Sequence, residues 1–447
     1  METQQPTSFN SLKKTFVGLD SQIDHIQEII IGLQNKNVAL LGIPGTGKTK
    51  LAQAIGKMIS HGSTFYDGEW TATSTPSHFL GPQSFPSLME KEELVHNTTG
   101  YPPDCEVWHA EEGFKAQGPL LDLLLPFGED RKYMNGKREC HAKTVVWLVS
   151  SNELPNEANG ALCDRFAIVF FPRLTSIVDR FAYSKKMSGG NYDVLDGISE
   201  NPRWSVEKIK MYHDIVKDIE IPDYTIMAWD GILEGIRTNL TRGMETVRAS
   251  VEETFYRGNM QERGMATGRG HRLGLMLAKA RAFTEGSRKV EPQHLCAAMP
   301  VLVVDPEFRD GVEKVVQSFA IPTYATVLSK ANKAVKEADN IIMKQFDYDS
   351  QAFGFKESNS ETTGIDPSVF RDCLKAITDA QDQVDSASEI YTIHPRLPGR
   401  KPDGTFAYSD ERSVKPPKDM IYLKGKLDRY HSHISGLMTQ SLALNEG

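Results

Sequence analysis

The residues Gly42-Ile43-Pro44-Gly45-Thr46-Gly47-Lys48-Thr49 carry the spacing G-x-x-x-x-G-K-[ST]. Glycines at these places let backbone N–H groups close around a polyphosphate, and a helix starting there adds partial positive charge. Lys48 then reaches the β- and γ-phosphates of ATP, and the Thr49 hydroxyl sits on Mg²⁺. Gly42, Pro44, Gly45, Thr46, Gly47 and Lys50 complete the loop around the nucleotide. Farther along, Glu106-Val107-Trp108-His109-Ala110-Glu111-Glu112 is a β-prone run ending in adjacent carboxylates. One acid, Glu111, is assigned to the Mg²⁺ hydration shell, and the next, Glu112, to polarising the attacking water. A solvated acidic pair at a strand end is the plain alternative.

Three more side chains have the right chemistry. Asn152 ends an apolar run over 144–152, where an amide can hold water near a γ-phosphate or merely cap a turn. Arg165 precedes the apolar run 167–171. It can project into a neighbouring subunit's nucleotide, or complement a helix C-terminus. Arg272 opens a helical pattern over 271–283 and can contact the nucleotide from a lid, or is one surface Arg among many.

These residues need elements to position them. The apolar run 38–41 before the glycines and the helical pattern 51–58 after them give strand, loop and helix. A helix is predicted over 11–33, with Ile23, Ile26, Ile29 and Ile30 at helical spacing, and a second strand over 63–66. The polar stretch 71–104 is long for a compact α/β core unless it is functional. A helix over 118–127 is expected to end at Pro126, and Asn135-Gly136 marks a hairpin. From 205 the pattern turns helical, over 206–219, 224–240 and 271–283, with a last lid helix starting at Pro292. Beyond 305, helices are expected over 312–343 with a break near Ile321-Pro322, over 367–390 and over 421–444. A linker at 347–366 and a Pro-rich loop at 394–418 separate them.

Composition bounds the function. At 447 residues the chain can hold two or three domains, each with its own core. A net charge of −8 gives no overall pull toward nucleic acid. The polar start and the lack of a long apolar run predict a cytoplasmic protein with no membrane partner. The five cysteines are scattered with no C-x-x-C pair, so reduced thiols are expected.

With these residues in place, the chain resembles the MoxR branch of the AAA+ ATPases, most closely the RavA (regulatory ATPase variant A) subgroup, over residues 11–305. Besides the phosphate loop, Ser74-Thr75-Pro76, Phe79-Leu80-Gly81-Pro82, Thr99-Gly100-Tyr101-Pro102, Phe114-Lys115-Ala116, Asn135-Gly136 and Ser151-Asn152-Glu153-Leu154-Pro155 fall in the family's order. The resemblance implies Glu111 and Glu112 as Walker B acids, Asn152 as sensor 1, Arg165 as arginine finger and Arg272 as sensor 2. Glu111 stands where the family has Asp, and 242–268 looks like an insertion before the sensor 2 helix, with Arg269 as a rival to Arg272. The implied fold is α/β: an AAA+ αβα P-loop core with a parallel sheet at 1–190, a helical lid domain at 191–305 and a mainly helical C-terminal region at 306–447. It further implies ATP and Mg²⁺ as cofactors and a homo-oligomeric ring, commonly a hexamer. Such a ring would act as a chaperone-like remodeller of a protein client, often beside a von Willebrand factor A domain protein. Two rivals are a nucleic-acid motor using Lys132, Lys137 and Arg138 of the hairpin, and an ATP-binding switch with little turnover.

Overall fold

A computed structural model describes residues 9–59, 65–116, 118–155, 160–172, 176–188, 195, 198–243, 268–303, 306, 309–345, 367–392, 399–400, 406–407 and 418–445. The chain forms two compact units: Met1–Arg173 with Gly190–Val316, and Leu174–Gly189 with Gln317–Gly447. The segment 174–189, which the 1–190 expectation assigns to the core, thus groups with the C-terminal helices.

The first unit is built on a five-stranded sheet. Its strands are β1 (Lys36–Leu41), β2 (Phe65–Glu69), β3 (Val107–Glu111), β6 (Val146–Ser151) and β7 (Ala167–Phe170), in the order β2-β3-β6-β1-β7 with every pair parallel. Both β1 and β6 are buried along their whole length, the pattern of interior strands covered on two faces. One face carries Trp108, Trp147, Phe127, Phe79 and Trp70, with Trp108 and Trp147 stacked at 4.6 Å. Together with its helices, this is an α/β P-loop core. β4 (Lys132–Asn135) and β5 (Arg138–His141) form the expected hairpin, closed by Gly136 at φ 63°.

The helices agree with the expected pattern in most places and depart in four. The stretch 11–33 is two helices, α1 (Phe9–Thr15) and α2 (Asp20–Gly32). Gly18 at φ 76° breaks it, a conformation no continuous helix accepts. Helix α3 (Lys48–Ile59) follows the phosphate loop. Within 71–104, two short helices, α4 (Pro76–Leu80) and α5 (Phe85–Lys91), replace some of the expected loop. Helix α6 (Pro119–Asp130) runs through Pro126, because Leu120, Leu124 and Phe127 all bury on the sheet and that packing outweighs one lost backbone bond. After α7 (Gly160–Cys163), α9 (Val206–Lys217) and α10 (Asp223–Gly243) precede α11 (Gly268–Glu285). The element starting at Pro292 is a 3₁₀ helix to Ala298, continued by the short α12 (Met299–Leu302). Most of the 242–268 insertion and all of the 347–366 linker lie outside the described residues.

In the second unit, α8 (Ile177–Met187) joins long helices, among them α14 (Pro322–Gln345), α15 (Pro367–Thr392) and α16 (Lys418–Asn445). The helix before α14, α13 (Arg309–Ala320), ends at the expected break beside Pro322. Buried Leu328, Ala331, Val335 and Ala338 on α14 and Cys373, Ile377, Ala380 and Val384 on α15 recur at three- and four-residue steps, one apolar stripe per helix. Inside, the Tyr430 hydroxyl donates to Asp339 at 2.6 Å and lies 3.0 Å from Ser176 Oγ. Among the described residues, no helix is long and apolar enough to cross a membrane.

Candidate nucleotide site

The site lies where β1, β3 and β6 end. Gly45 and Gly47 hold φ of 81° and 88°, which the loop needs in order to turn its backbone outward. No atom comes within 4 Å of where a Gly45 Cβ would stand, so the loop is open on that side. Gly42 is tight instead: a Cβ there would meet the Phe171 carbonyl oxygen at 2.7 Å.

Lys48 opens α3 and is buried. Its ammonium donates to the carbonyls of Gly42 (2.7 Å) and Ile43 (2.8 Å) and to Asn152 Oδ1 (2.8 Å). Burial lowers its pKa from the ordinary lysine value, while Glu112 and Glu111 work against that shift. Asn152 uses its other end on the catalytic candidate: Nδ2 donates to Glu112 Oε1 at 2.6 Å. Ser151 Oγ donates to Glu112 Oε2 at 3.3 Å, and Lys115 Nζ stands 3.6 Å from the same oxygen. The neighbouring acid points the other way, with Thr49 Oγ1 donating to Glu111 Oε1 at 2.7 Å.

Thus five of the sequence-predicted residues, Lys48, Thr49, Glu111, Glu112 and Asn152, meet in one constellation. The backbone explains how adjacent acids serve two partners. Glu111 is the last residue of β3, whereas Glu112 takes a left-handed conformation, φ 54° and ψ 33°, so its side chain leaves the strand's alternation. Such a conformation costs a non-glycine residue about 1–2 kcal/mol, and a 2.6 Å bond from Glu112 N–H to Ser150 O holds it.

The residues present fit ATP and Mg²⁺. The open glycine cradle and the helix start suit a polyphosphate, and a hydroxyl beside a carboxylate, Thr49 with Glu111, is a hard oxygen donor set. Thr46 Oγ1 donates to Ile43 O at 3.0 Å, which braces the loop.

Two predicted residues stand elsewhere. Arg165 precedes β7, and its carbonyl accepts from Asn37 Nδ2 at 2.9 Å, at the amino end of β1. Its guanidinium pairs with Glu129 at 3.3 Å and donates to Ala161 O. At about 3.3 Å per residue, β1 alone puts some 15 Å between this end and the loop. Arg165 therefore cannot serve its own chain's loop. Arg272 is exposed on α11, which runs antiparallel to α2: Arg281 pairs with Glu28, and Gly32 packs on Ala280 and Met276. That direction carries Arg272 past Gly32, toward the start of β1 and away from Lys48. The side chain of Arg269 is outside the described residues.

Sequence reasoning missed Ser151 as a second anchor of Glu112, and Lys115 beside it. Only register could show Ser151, which depends on how β6 is set against the turn after β3, whereas Lys115 lies three residues from Glu112 in that same turn.

Residues 3–186 match the family model described as the MoxR domain in the MoxR-vWA-beta-propeller ternary systems. This segment is similar to MoxR-type AAA+ ATPase domains. Two uncharacterized proteins of Methanocaldococcus jannaschii resemble the chain, at 30% and 29% identity over 157 residues. Those alignments cover 35% of this chain and 38% and 37% of the relatives, so the similarity spans well under half of either relative. A candidate ATPase of Cytophaga hutchinsonii superposes with a TM-score of 0.49 at 16% identity, covering 70% of this chain and 93% of that one.

Proposed function

We propose that the chain is an ATP-hydrolysing, MoxR-like AAA+ protein, nearest the RavA subgroup, that works as a homo-oligomeric ring and remodels a protein partner. The observation that carries this is the chain of contacts from Lys48 through Asn152 to Glu112, beside the Thr49–Glu111 pair. Bound ATP with Mg²⁺ supplies the phosphoanhydride bond whose cleavage drives the motion. Lys48 exchanges its loop carbonyls for phosphate oxygens, and Thr49 with Glu111 holds the metal's oxygen shell. The Glu112 carboxylate takes the proton of the attacking water, steadied by Asn152, Ser151 and Lys115. Arg165, at the other end of the sheet, acts on a neighbouring subunit's nucleotide, and Arg272 is offered to a neighbour in the same way. The partner is a protein carrying a von Willebrand factor A domain; support comes from the family description, which places MoxR domains beside such proteins.

The test is ATP hydrolysis per subunit across a wide range of protein concentrations, with Arg165→Ala beside the wild type. Specific activity should climb with concentration in the wild type and stay at background in the mutant. Turnover independent of concentration would exclude a shared site. The Glu111 substitution favours one second reading, an ATP-dependent assembly switch. It predicts tight ATP binding and nucleotide-dependent oligomers with no turnover at any concentration.

A further inference from the structure

The centre of β3 breaks the pattern of the other interior strands. Where β1 has Val38-Ala39-Leu40 and β6 has Val146-Trp147-Leu148, β3 places His109, fully buried and two residues before Glu111. An imidazole can be buried there only if both nitrogens find partners. Both do: Nδ1 lies 2.6 Å from Asp67 Oδ1 on β2, and Nε2 lies 2.9 Å from Ser150 Oγ on β6. Burial pushes the Asp67 carboxyl up, but the His109 hydrogen bond and charge, a bond from Gln53 and nearby Lys50 together hold it below the usual carboxylate value. With Asp67 ionised and acceptor-only, Nδ1 donates to it, and Nε2 shares its hydrogen bond with the Ser150 hydroxyl, which can donate or accept.

The row continues on both sides. Gln53 Nε2, one turn into α3 from Lys48, donates to Asp67 Oδ2 at 2.7 Å. Ser150, at the far end, presents its carbonyl to Glu112 N–H at 2.6 Å, the bond that holds Glu112 in its left-handed conformation. An aliphatic side chain would fill the volume of His109 without needing partners on two other strands. The polar row instead fixes β2, β3 and β6 against one another just below the acids, and ends on the residue that aims Glu112.

We propose that His109 is a positioning residue for the Glu112 carboxylate, acting through Ser150 and oriented by Asp67. The inference rests on Glu112 being the base of the ATP hydrolysis described above. His109 touches neither nucleotide nor water in this role; its effect falls on turnover and not on nucleotide affinity.

The test compares His109→Leu, Ser150→Ala, their double mutant and His109→Gln in the full chain. Three quantities are read: kcat for ATP, affinity for a fluorescent ATP analogue, and amide hydrogen exchange of the peptide containing Glu112. Each single mutant should lose about tenfold in kcat with affinity within about twofold, and the double mutant should fall no lower than the worse single. His109→Gln, whose amide can still reach Ser150, should recover part of the loss. Exchange at Glu112 should quicken in both singles while β1 stays protected. Full turnover in folded His109→Leu, multiplying losses in the double mutant, or unchanged exchange at Glu112 would overturn the assignment. Should His109→Leu fail to fold, Ser150→Ala removes one hydroxyl and decides alone. If the wild type itself turns over no ATP, the hydrolysis reading fails, and Glu112 exchange still decides whether the row exists as a positioning device.

Discussion

The two ends of the parallel sheet hold similar residue types to opposite effect. At the carboxyl ends of β1, β3 and β6, Lys48 faces Asn152, which in turn meets Glu112. Lys48's other partners, the carbonyls of Gly42 and Ile43 and the Thr46 hydroxyl, all belong to the glycine loop. At the amino ends, cations are locked. Arg131 donates to Thr144 O (2.9 Å), Phe127 O (3.1 Å) and Asn37 Oδ1 (2.6 Å), and burial pushes its pKa down to about 9. Lys36 donates to Leu33 O at 2.7 Å and is lowered to about 7 by burial first, then by Arg131 and Lys217. What separates a binding cation from a structural one is whether its partners can be exchanged for ligand atoms. Rigid strand and helix ends do not let go; a loop built on Gly45 and Gly47 does.

The comparison breaks most sharply at Arg165, which sits at the locked end and is proposed to act at the open end of a neighbour. Arg165→Ala should lower turnover by about 10³-fold or more, and Lys48→Ala should abolish ATP binding. Mixing the two inactive proteins should restore activity, because some interfaces then pair an intact loop with an intact arginine. No recovery on mixing would place both functions in one chain. Next in size, Glu112→Gln should cut kcat by about 10²-fold or more while ATP stays bound, as single-turnover and binding assays would read. Equal turnover in mutant and wild type would remove Glu112 from the chemistry.

At the locked end the expected effects are on stability. Asn37 Nδ2 donates to both Gly128 O and Arg165 O, and its Oδ1 accepts from Arg131. Asn37→Ala should therefore cost about 2–3 kcal/mol in denaturant unfolding, for the buried groups it leaves without partners. Smallest is the pH effect of Lys36. Its folded pKa of about 7 lies below the ordinary lysine value of 10.5. Between these values the unfolded chain holds a proton that the folded chain has released, so folding stability rises with pH across that window. Lys36→Met lacks this term. Its stability advantage over wild type should be largest near pH 7 and shrink toward pH 10 by about 3–4 kcal/mol. A constant gap would show that Lys36 stays charged in the fold.

Much of the open end was legible in the sequence because its signals are local. The spacing from Gly42 to Thr49 works through one loop's backbone, and the strands around it are short apolar runs whose order along the chain is unambiguous. The Asn135-Gly136 hairpin is equally local. Pro126 misled because a breaker's effect is local while the force overriding it, burial of Leu120, Leu124 and Phe127, is not. His109 carries no local signal of its role, since an isolated imidazole in an apolar run is unfavourable until its partners on other strands are known.

The sequence by itself determined which groups could bind phosphate and which carboxylates stood ready beside them. Spacing along one strand or loop is fixed by covalent geometry. Only the tertiary structure decided that Asn152 bridges Lys48 and Glu112, that Asp67 and Ser150 satisfy His109, and that Arg165 lies at the far end of the sheet. Those contacts join residues far apart in the chain, and strand order and register set them; a register shift of one residue would turn every side chain of a strand to its other face.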